Sequence, residues 1–264
     1  MDIVEVDGLR IAYERAGDGP PLVLLHGYVG DGPTTWRRQL ERLCDECTVV
    51  VWDAPGAGRS SDPPESFGMA GYADSLAKFI DRLALDSPHV AGLSFGGALA
   101  LEFHRRYPAV PVTLTLLSAY AGWAGSLSAE ATAQRLRQAL GLADLSAEEF
   151  VGTLLPTMFS NGTPAEVIDE FGAAMLAFHP TGFRAMARAS AEDLRGALPD
   201  IDVPTLLVYG DSDVRAPLAV AEGLHAAIPD STLVVLREAG HLCNIEAPDE
   251  FNRVVARFVR DHPA

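Results

Sequence analysis

Positive charge is scarce in this 264-residue chain: 20 Lys and Arg stand against 36 Asp and Glu, a formal net charge of −16. A surface of that sign repels phosphates, so no nucleic-acid partner and no membrane surface is expected. Lys78 is the only lysine and the other basic residues are arginine, which reads as codon bias rather than function. Cysteine is sparse as well. Cys44, Cys47 and Cys243 are too few, and odd in number, for a disulfide framework. Cys44 and Cys47 have C-x-x-C spacing, but no second Cys or His pair accompanies them at zinc spacing. They read as structural thiols, and no metal or other cofactor is expected. No window is apolar over the length of a membrane span. The opening MDIVEVDGLRIAYERAG has neither a basic region nor an apolar leader. A soluble, cytoplasmic protein is the expectation, with its oligomeric state left open.

Apolar residues, by contrast, make up 48% of the chain, enough for one large α/β domain with an insertion or for two small domains. Asp7-Gly8 is a hairpin signal between strand patterns at 3–6 and 9–15. Short apolar runs at 22–25 and 49–52 read as buried strands, and the runs at 89–91, 112–117, 205–209 and 232–236 read as further strands. Helical patterns occupy 35–44, 71–83, the stretch from 95 to 107, 218–227 and 248–259. From 119 to 198 no strand pattern occurs. That segment is alanine-rich and helical, and Ser or Pro opens several of its runs. The alternation predicts a mostly parallel, twisted sheet with helices on both faces. Its first part is residues 1–118, a helical cap is inserted at 119–198, and the second part is 199–264.

Gly92-Leu93-Ser94-Phe95-Gly96 falls between an apolar run and a helical pattern, the setting of a nucleophile elbow. A serine hydroxyl is a weak nucleophile at neutral pH and needs a histidine base held by a carboxylate. In a parallel sheet these groups belong after the C-terminal ends of strands. Asp211 and Asp213 follow the run at 205–209, and His241 follows the run at 232–236. His89, His104, His225 and His262 follow no strand end, His179 precedes a proline in the cap, and His26 follows an earlier strand. The expected triad is Ser94, Asp213 and His241, with Asp211 shaping the turn. A tetrahedral intermediate also needs two N–H donors. Phe95, just after the nucleophile, offers one, and Tyr28 in the loop His26-Gly27-Tyr28-Val29-Gly30 offers the other.

The stretches HGYVG (26–30), DAPGAGRSS (53–61), GLSFGG (92–97), VPTLLVYGDSD (203–213) and AGHLCNIEAPDEFN (239–252) resemble the α/β-hydrolase superfamily. They span most of the chain outside the cap. The chain is most similar to its capped enol-lactonase, haloperoxidase-like and carboxylesterase group. The resemblance implies the α/β-hydrolase fold and places the triad on Ser94, Asp213 and His241. Haloalkane dehalogenases and epoxide hydrolases of this fold carry an aspartate at the elbow, where this chain has Ser94. Hydroxynitrile lyases carry a lysine after the catalytic histidine and many carbon–carbon bond hydrolases a tryptophan, where this chain has Leu242.

The expected activity is hydrolysis of a small carboxylic ester or lactone through an acyl-enzyme, without a cofactor. A carbon–carbon bond hydrolase with the same triad, and a ligand-sensing protein with little turnover, are the alternatives. His26, Gly27, Trp123, Phe159, Phe178 and Met186 are candidate pocket residues, with Met158 beside them. Arg184 and Arg188, four apart, share a helix face that could meet a charged acyl group or simply solvent.

Overall fold

In the computed structural model, which describes residues 1–263, one eight-stranded sheet runs through the molecule. Its strands are β1 (Asp2–Val6), β2 (Leu9–Ala16), β3 (Pro21–Leu25), β4 (Thr48–Trp52), β5 (His89–Leu93), β6 (Thr113–Leu117), β7 (Thr205–Gly210) and β8 (Ser231–Leu236). Their spatial order is β1-β2-β4-β3-β5-β6-β7-β8. β1 pairs antiparallel with β2, and β2 with β4, whereas every other pairing is parallel. Asp7 and Gly8 turn the first hairpin at φ 49° and 81°, the positive values that a tight two-residue turn requires. Every residue of β4, β5, β6 and β7 is buried. In β4 and β7 this burial goes with near-continuous apolar runs, while β5 and β6 bury the polar His89, Thr113 and Thr115 as well. Each fully buried Val or Leu contributes about 1.5–3 kcal/mol, so these runs decide the local structure.

The helices are α1 (Gly32–Leu43), α2 (Gly68–Arg82), α3 (Phe95–Arg106), α4 (Trp123–Ser126), α5 (Ala129–Leu142), α6 (Ala147–Leu154), α7 (Ala165–Met175), α8 (Pro180–Ser190), α9 (Leu218–Ala227), α10 (Cys243–Glu246) and α11 (Pro248–Asp261). They flank the sheet in two groups. α1 packs with α10 and α11, while α2 packs with α3. None of the described helices is long and apolar enough to cross a membrane.

Some element ends differ from the sequence patterns, for tertiary reasons. α1 starts at Gly32 because Asp31 caps it, its carboxylate accepting the Thr34 N–H at 2.7 Å. α2 starts at Gly68, where Glu192, distant in sequence, accepts the Met69 N–H at 2.8 Å. β5 continues to Leu93 because Gly92 and Leu93 pair with Leu116 and Leu117 of β6.

α4 to α8 lie between β6 and β7, which are adjacent and parallel. The two ends of this helical segment meet, for the Leu194 N–H donates to Ala121 O at 2.9 Å. At Gly122, at φ 66°, a β-carbon would overlap the Glu192 carbonyl. α5 buries only Thr132 and Ala139, so the caps supplied by Ser128, and by Ser146 in its capping box with Glu149, weigh relatively more here. Such a cap is worth about 1 kcal/mol. α8 docks on the loop after β4 through two glycines, since a β-carbon on Gly182 would overlap the Gly56 carbonyl.

Candidate active site

β5 ends at Leu93 and α3 begins at Phe95, so Ser94 alone makes the turn, at φ 52° and ψ −108°. Holding a non-glycine residue there costs about 1–3 kcal/mol. The surroundings enforce it. A β-carbon on Gly92 would overlap the Gly96 carbonyl, and one on Gly96 would overlap the Leu25 carbonyl of β3. The two glycines of the motif are therefore set by backbone approach. The Ser94 N–H is tied to Leu117 O at 2.8 Å, and Ser94 O accepts from Gly97 and Ala98 at 3.1 Å.

Ser94 is half-buried and lines a small cavity with Gly27, Tyr28, Val29, Leu93, Met158, Phe171, His241 and Leu242. Its volume of about 10 Å³ holds roughly one water molecule. His241 stands on the loop after β8 and is 3% exposed, and Asp213 on the loop after β7 is 5% exposed. Asp213 Oδ2 accepts from His241 Nδ1 at 2.9 Å, while its Oδ1 accepts the N–H groups of Arg215 and Ala216 at 2.7 and 2.9 Å. Burial alone would raise the pKa of Asp213. The charge and hydrogen bond of His241 and the two backbone N–H groups outweigh it, so the carboxyl sits below its ordinary range. For His241, burial pushes the pKa down and Asp213 pulls it up. The positive charges of Arg215 and Arg135 push it down again, and the net direction is downward. With Nδ1–H donating its hydrogen bond to Asp213, the neutral ring keeps a free lone pair on Nε2. No hydrogen bond joins Ser94 and His241 among the described residues, although both line the one cavity.

Tyr28 lines the cavity, and Phe95 directly follows Ser94 in the chain. Phe95 opens α3, where the first N–H groups have no intrahelical acceptor. The Tyr28 N–H shares a peptide plane with the Gly27 carbonyl, and in a trans peptide the two point in opposite directions. That carbonyl is held by His26, whose Nδ1 donates to Gly27 O at 2.6 Å. The other ring nitrogen, Nε2, accepts from the Ala54 N–H at 2.9 Å. These bonds require the neutral Nδ1–H tautomer, in keeping with a pKa lowered by burial against the pull of Asp53. His26 is 1% exposed. It clamps the 26–30 loop to the loop after β4 and does not line the cavity, contrary to its placement among pocket residues.

Of the other expected pocket residues, Gly27 lies at Ser94 and Met158 joins it. Trp123, Phe159, Phe178 and Met186 are not brought to that cavity. Trp123 meets Tyr28 edge-on at 6.0 Å, and Phe178 stacks on Phe150 at 3.9 Å inside the helical segment. Met186 is buried within α8. Phe159 packs edge-on against Phe171 at 5.8 Å, one residue back from the wall. Helical spacing could not show which apolar side chains face each other and which face Ser94. Arg184 pairs with Asp144 and Arg188 with Glu65, so neither is free for an acyl group. Asp211 accepts the Glu238 N–H at 2.8 Å and ties the loops after β7 and β8 together. The remaining histidines bond elsewhere: His89 to Thr113, His104 to Asp202, His179 to Asp62, His225 to Ser231 and His262 to Phe258.

Three residues of the site went unnoticed in the sequence. Glu246 accepts from Ser160, Thr163 and Gly240 at 2.7–2.8 Å, stitching the segment before α7 to the His241 loop. Arg215 donates to Tyr28 Oη at 2.5 Å and Thr157 Oγ1 at 2.8 Å. Arg135 donates to Tyr120 Oη at 3.0 Å. Only Arg215, two residues after Asp213, carried a positional signal.

Residues 22–254 match the sequence profile of the Alpha/beta hydrolase family. A thermophilic esterase from Thermogutta terrifontis superposes with a TM-score of 0.91 at 30% identity, covering 100% of each chain. An enol-lactonase from Burkholderia xenovorans superposes at 0.88 with 24% identity, over 98% of this chain and 100% of that one. A putative carbamate hydrolase of Azorhizobium caulinodans is 29% identical, over 93% of each chain.

The His26 clamp is tested by His26→Ala. The variant should keep its fold by circular dichroism and lose roughly tenfold to a hundredfold in kcat on a short-chain p-nitrophenyl ester, with KM nearly unchanged. An unchanged kcat in the folded variant contradicts the role.

Proposed function

The chain belongs to the alpha/beta hydrolase family, and from that premise we propose that it is a serine hydrolase cleaving a small carboxylic ester or lactone through an acyl-enzyme. The observation that carries this reading is one cavity shared by Ser94, on its positive-φ turn, and His241, whose Nδ1 is held by the buried Asp213. In the proposed reaction His241 Nε2 takes the Ser94 hydroxyl proton as Oγ attacks the carbonyl carbon. The negative charge gathers on the carbonyl oxygen, where the N–H groups of Tyr28 and Phe95 offset it. His241 then gives its proton to the leaving alkoxide, and the ester bond breaks. Water, its proton taken by His241, attacks the acyl carbon; His241 then returns that proton to the departing Ser94 Oγ, which releases the free acid and restores the hydroxyl. Asp213 stays ionised, keeps Nδ1 protonated and offsets the imidazolium charge.

The small volume and the apolar wall of Met158, Phe171 and Leu242 around Ser94 suit a compact reacting carbonyl. The similarity to an esterase at 30% identity supports an ester. The carbamate hydrolase name of another relative supports the same attack at a carbonyl carbon.

Ser94→Ala removes the attacking oxygen. Turnover of p-nitrophenyl acetate should fall by about three or more powers of ten while the melting temperature stays equal or rises, because alanine adds no strain beyond that serine already bears. Near-normal turnover in this variant rejects the scheme. The pH profile is a separate check. The base must be neutral, and its pKa is lowered from the ordinary value near 6.5. The acid limb of kcat/KM should therefore have its midpoint below pH 6.5, with a plateau above. A midpoint above 7 contradicts the assignment of His241.

A further inference from the structure

Four arginines of the described chain are half-buried: Arg38, Arg135, Arg184 and Arg215. Arg38 pairs with Glu170, and Arg184 with Asp144. Among the described residues Arg135 and Arg215 have no acidic partner, in a chain with 36 acidic residues. Their hydrogen bonds go to neutral acceptors: the hydroxyls of Tyr28, Thr157 and Tyr120, and the carbonyl of Arg215 itself. Arg215 Nε is buried with no partner at all. A guanidinium withdrawn from water without a counter-charge is costly. Aromatic faces offset part of that cost. The Arg135 guanidinium carbon lies 4.9 Å from the Tyr120 ring centre and 5.0 Å from that of Trp123, and that of Arg215 lies 5.7 Å from Tyr28.

Both arginines line one solvent-open groove of about 400 Å³ between α5, the end of α6 and the loop after β7. Gln134 and Gln138, at helical spacing on α5, and Thr157 add neutral hydrogen-bonding groups to its wall. Tyr28 belongs both to this wall and to the wall of the small cavity around Ser94. This groove therefore adjoins the proposed reaction centre across one residue, Tyr28. The charges of Arg215 and Arg135 are felt at His241, which places them within electrostatic range of the chemistry.

We propose that this groove holds a carboxylate carried by the substrate, paired by Arg215 and Arg135, so that the natural ester or lactone bears a free acid group. The inference rests on the ester-hydrolase reading above and adds the substrate's charge to it. Guanidinium forks match a carboxylate's two oxygens. A substrate with one negative charge suits a chain of net charge −16 better than a polyanion, which the whole surface repels. The wall also carries the apolar Leu127, Leu142 and Leu154, which suit a hydrocarbon part of such a substrate.

The test compares p-nitrophenyl monoesters of succinate, glutarate and adipate with neutral p-nitrophenyl esters of equal chain length. The best monoester should exceed its neutral counterpart in kcat/KM by roughly tenfold or more, mainly through KM. In Arg135→Gln and Arg215→Gln that ratio should fall about tenfold, and in Arg215→Lys it should be partly kept. Calorimetric titration of the wild-type protein with glutarate and with glutaramide gives a readout independent of turnover and of variant folding. Glutarate should bind at least about tenfold more tightly. Hydrolysis of both ester series without preference for the acid, together with equal binding of glutarate and glutaramide, overturns the carboxylate site and leaves the hydrolase reading standing. Glutarate binding with no turnover of either series sustains the site and overturns the hydrolase reading.

Discussion

Two backbone segments pass closer together at Gly92 and Gly96 than any β-carbon permits, and the rest of the site is arranged around that approach. β5 is pinned between β3 and β6, and α3 must leave its end at once to cover the sheet. The turn between them has room for one residue, so Ser94 takes φ 52°. Its strain of about 1–3 kcal/mol is small beside the burial of β5 and α3, whose apolar residues contribute about 1.5–3 kcal/mol each. The core thus holds the serine in a position that a loop could not keep. The other groups use the same sheet as their ruler. The loops after β3, β7 and β8 deliver Tyr28, Asp213 and His241 to the edge at which β5 delivers Ser94.

Histidine appears in this arrangement in two different uses. His26 and His241 are both buried, and both have lowered pKa values. His26 spends both ring nitrogens on the backbone, one on Gly27 O and one on the Ala54 N–H. It has no lone pair left for chemistry and serves to aim a peptide. His241 spends only Nδ1, on Asp213, and keeps Nε2. The distinction between a clamp and the proposed base lies in this hydrogen-bond count, since burial and pKa direction are shared.

The strands and the triad candidates were legible because their causes are local or periodic. Buried parallel strands read as apolar runs, the elbow glycines are demanded at fixed spacing, and Asp213 and His241 each stand just after a strand. The hairpin at Asp7-Gly8 was legible for the same reason. What was not legible depends on pairs distant in sequence. Glu192 capping α2 and Glu246 joining Thr163 to Gly240 leave no local pattern. His26 looked like a pocket residue because its position after β3 is a site position, while its partner Ala54 lies on another loop. In the helical segment, Phe178 and Met186 have the spacing of a lining residue and the surroundings of a core residue. Arg135 and Arg184 look alike in sequence, and only the structure shows that Asp144 neutralises one and no acid meets the other.

The central claim is a covalent acyl group on Ser94. It is tested most directly by mixing the protein with excess p-nitrophenyl acetate, quenching in acid within the first turnover, and mapping the added mass by peptide mass spectrometry. The account predicts an added acetyl group on the peptide bearing Ser94, formed together with a burst of nitrophenolate of about one equivalent per chain. Full turnover with no acyl group on that peptide, under conditions where an acylated control serine hydrolase is trapped, would contradict it.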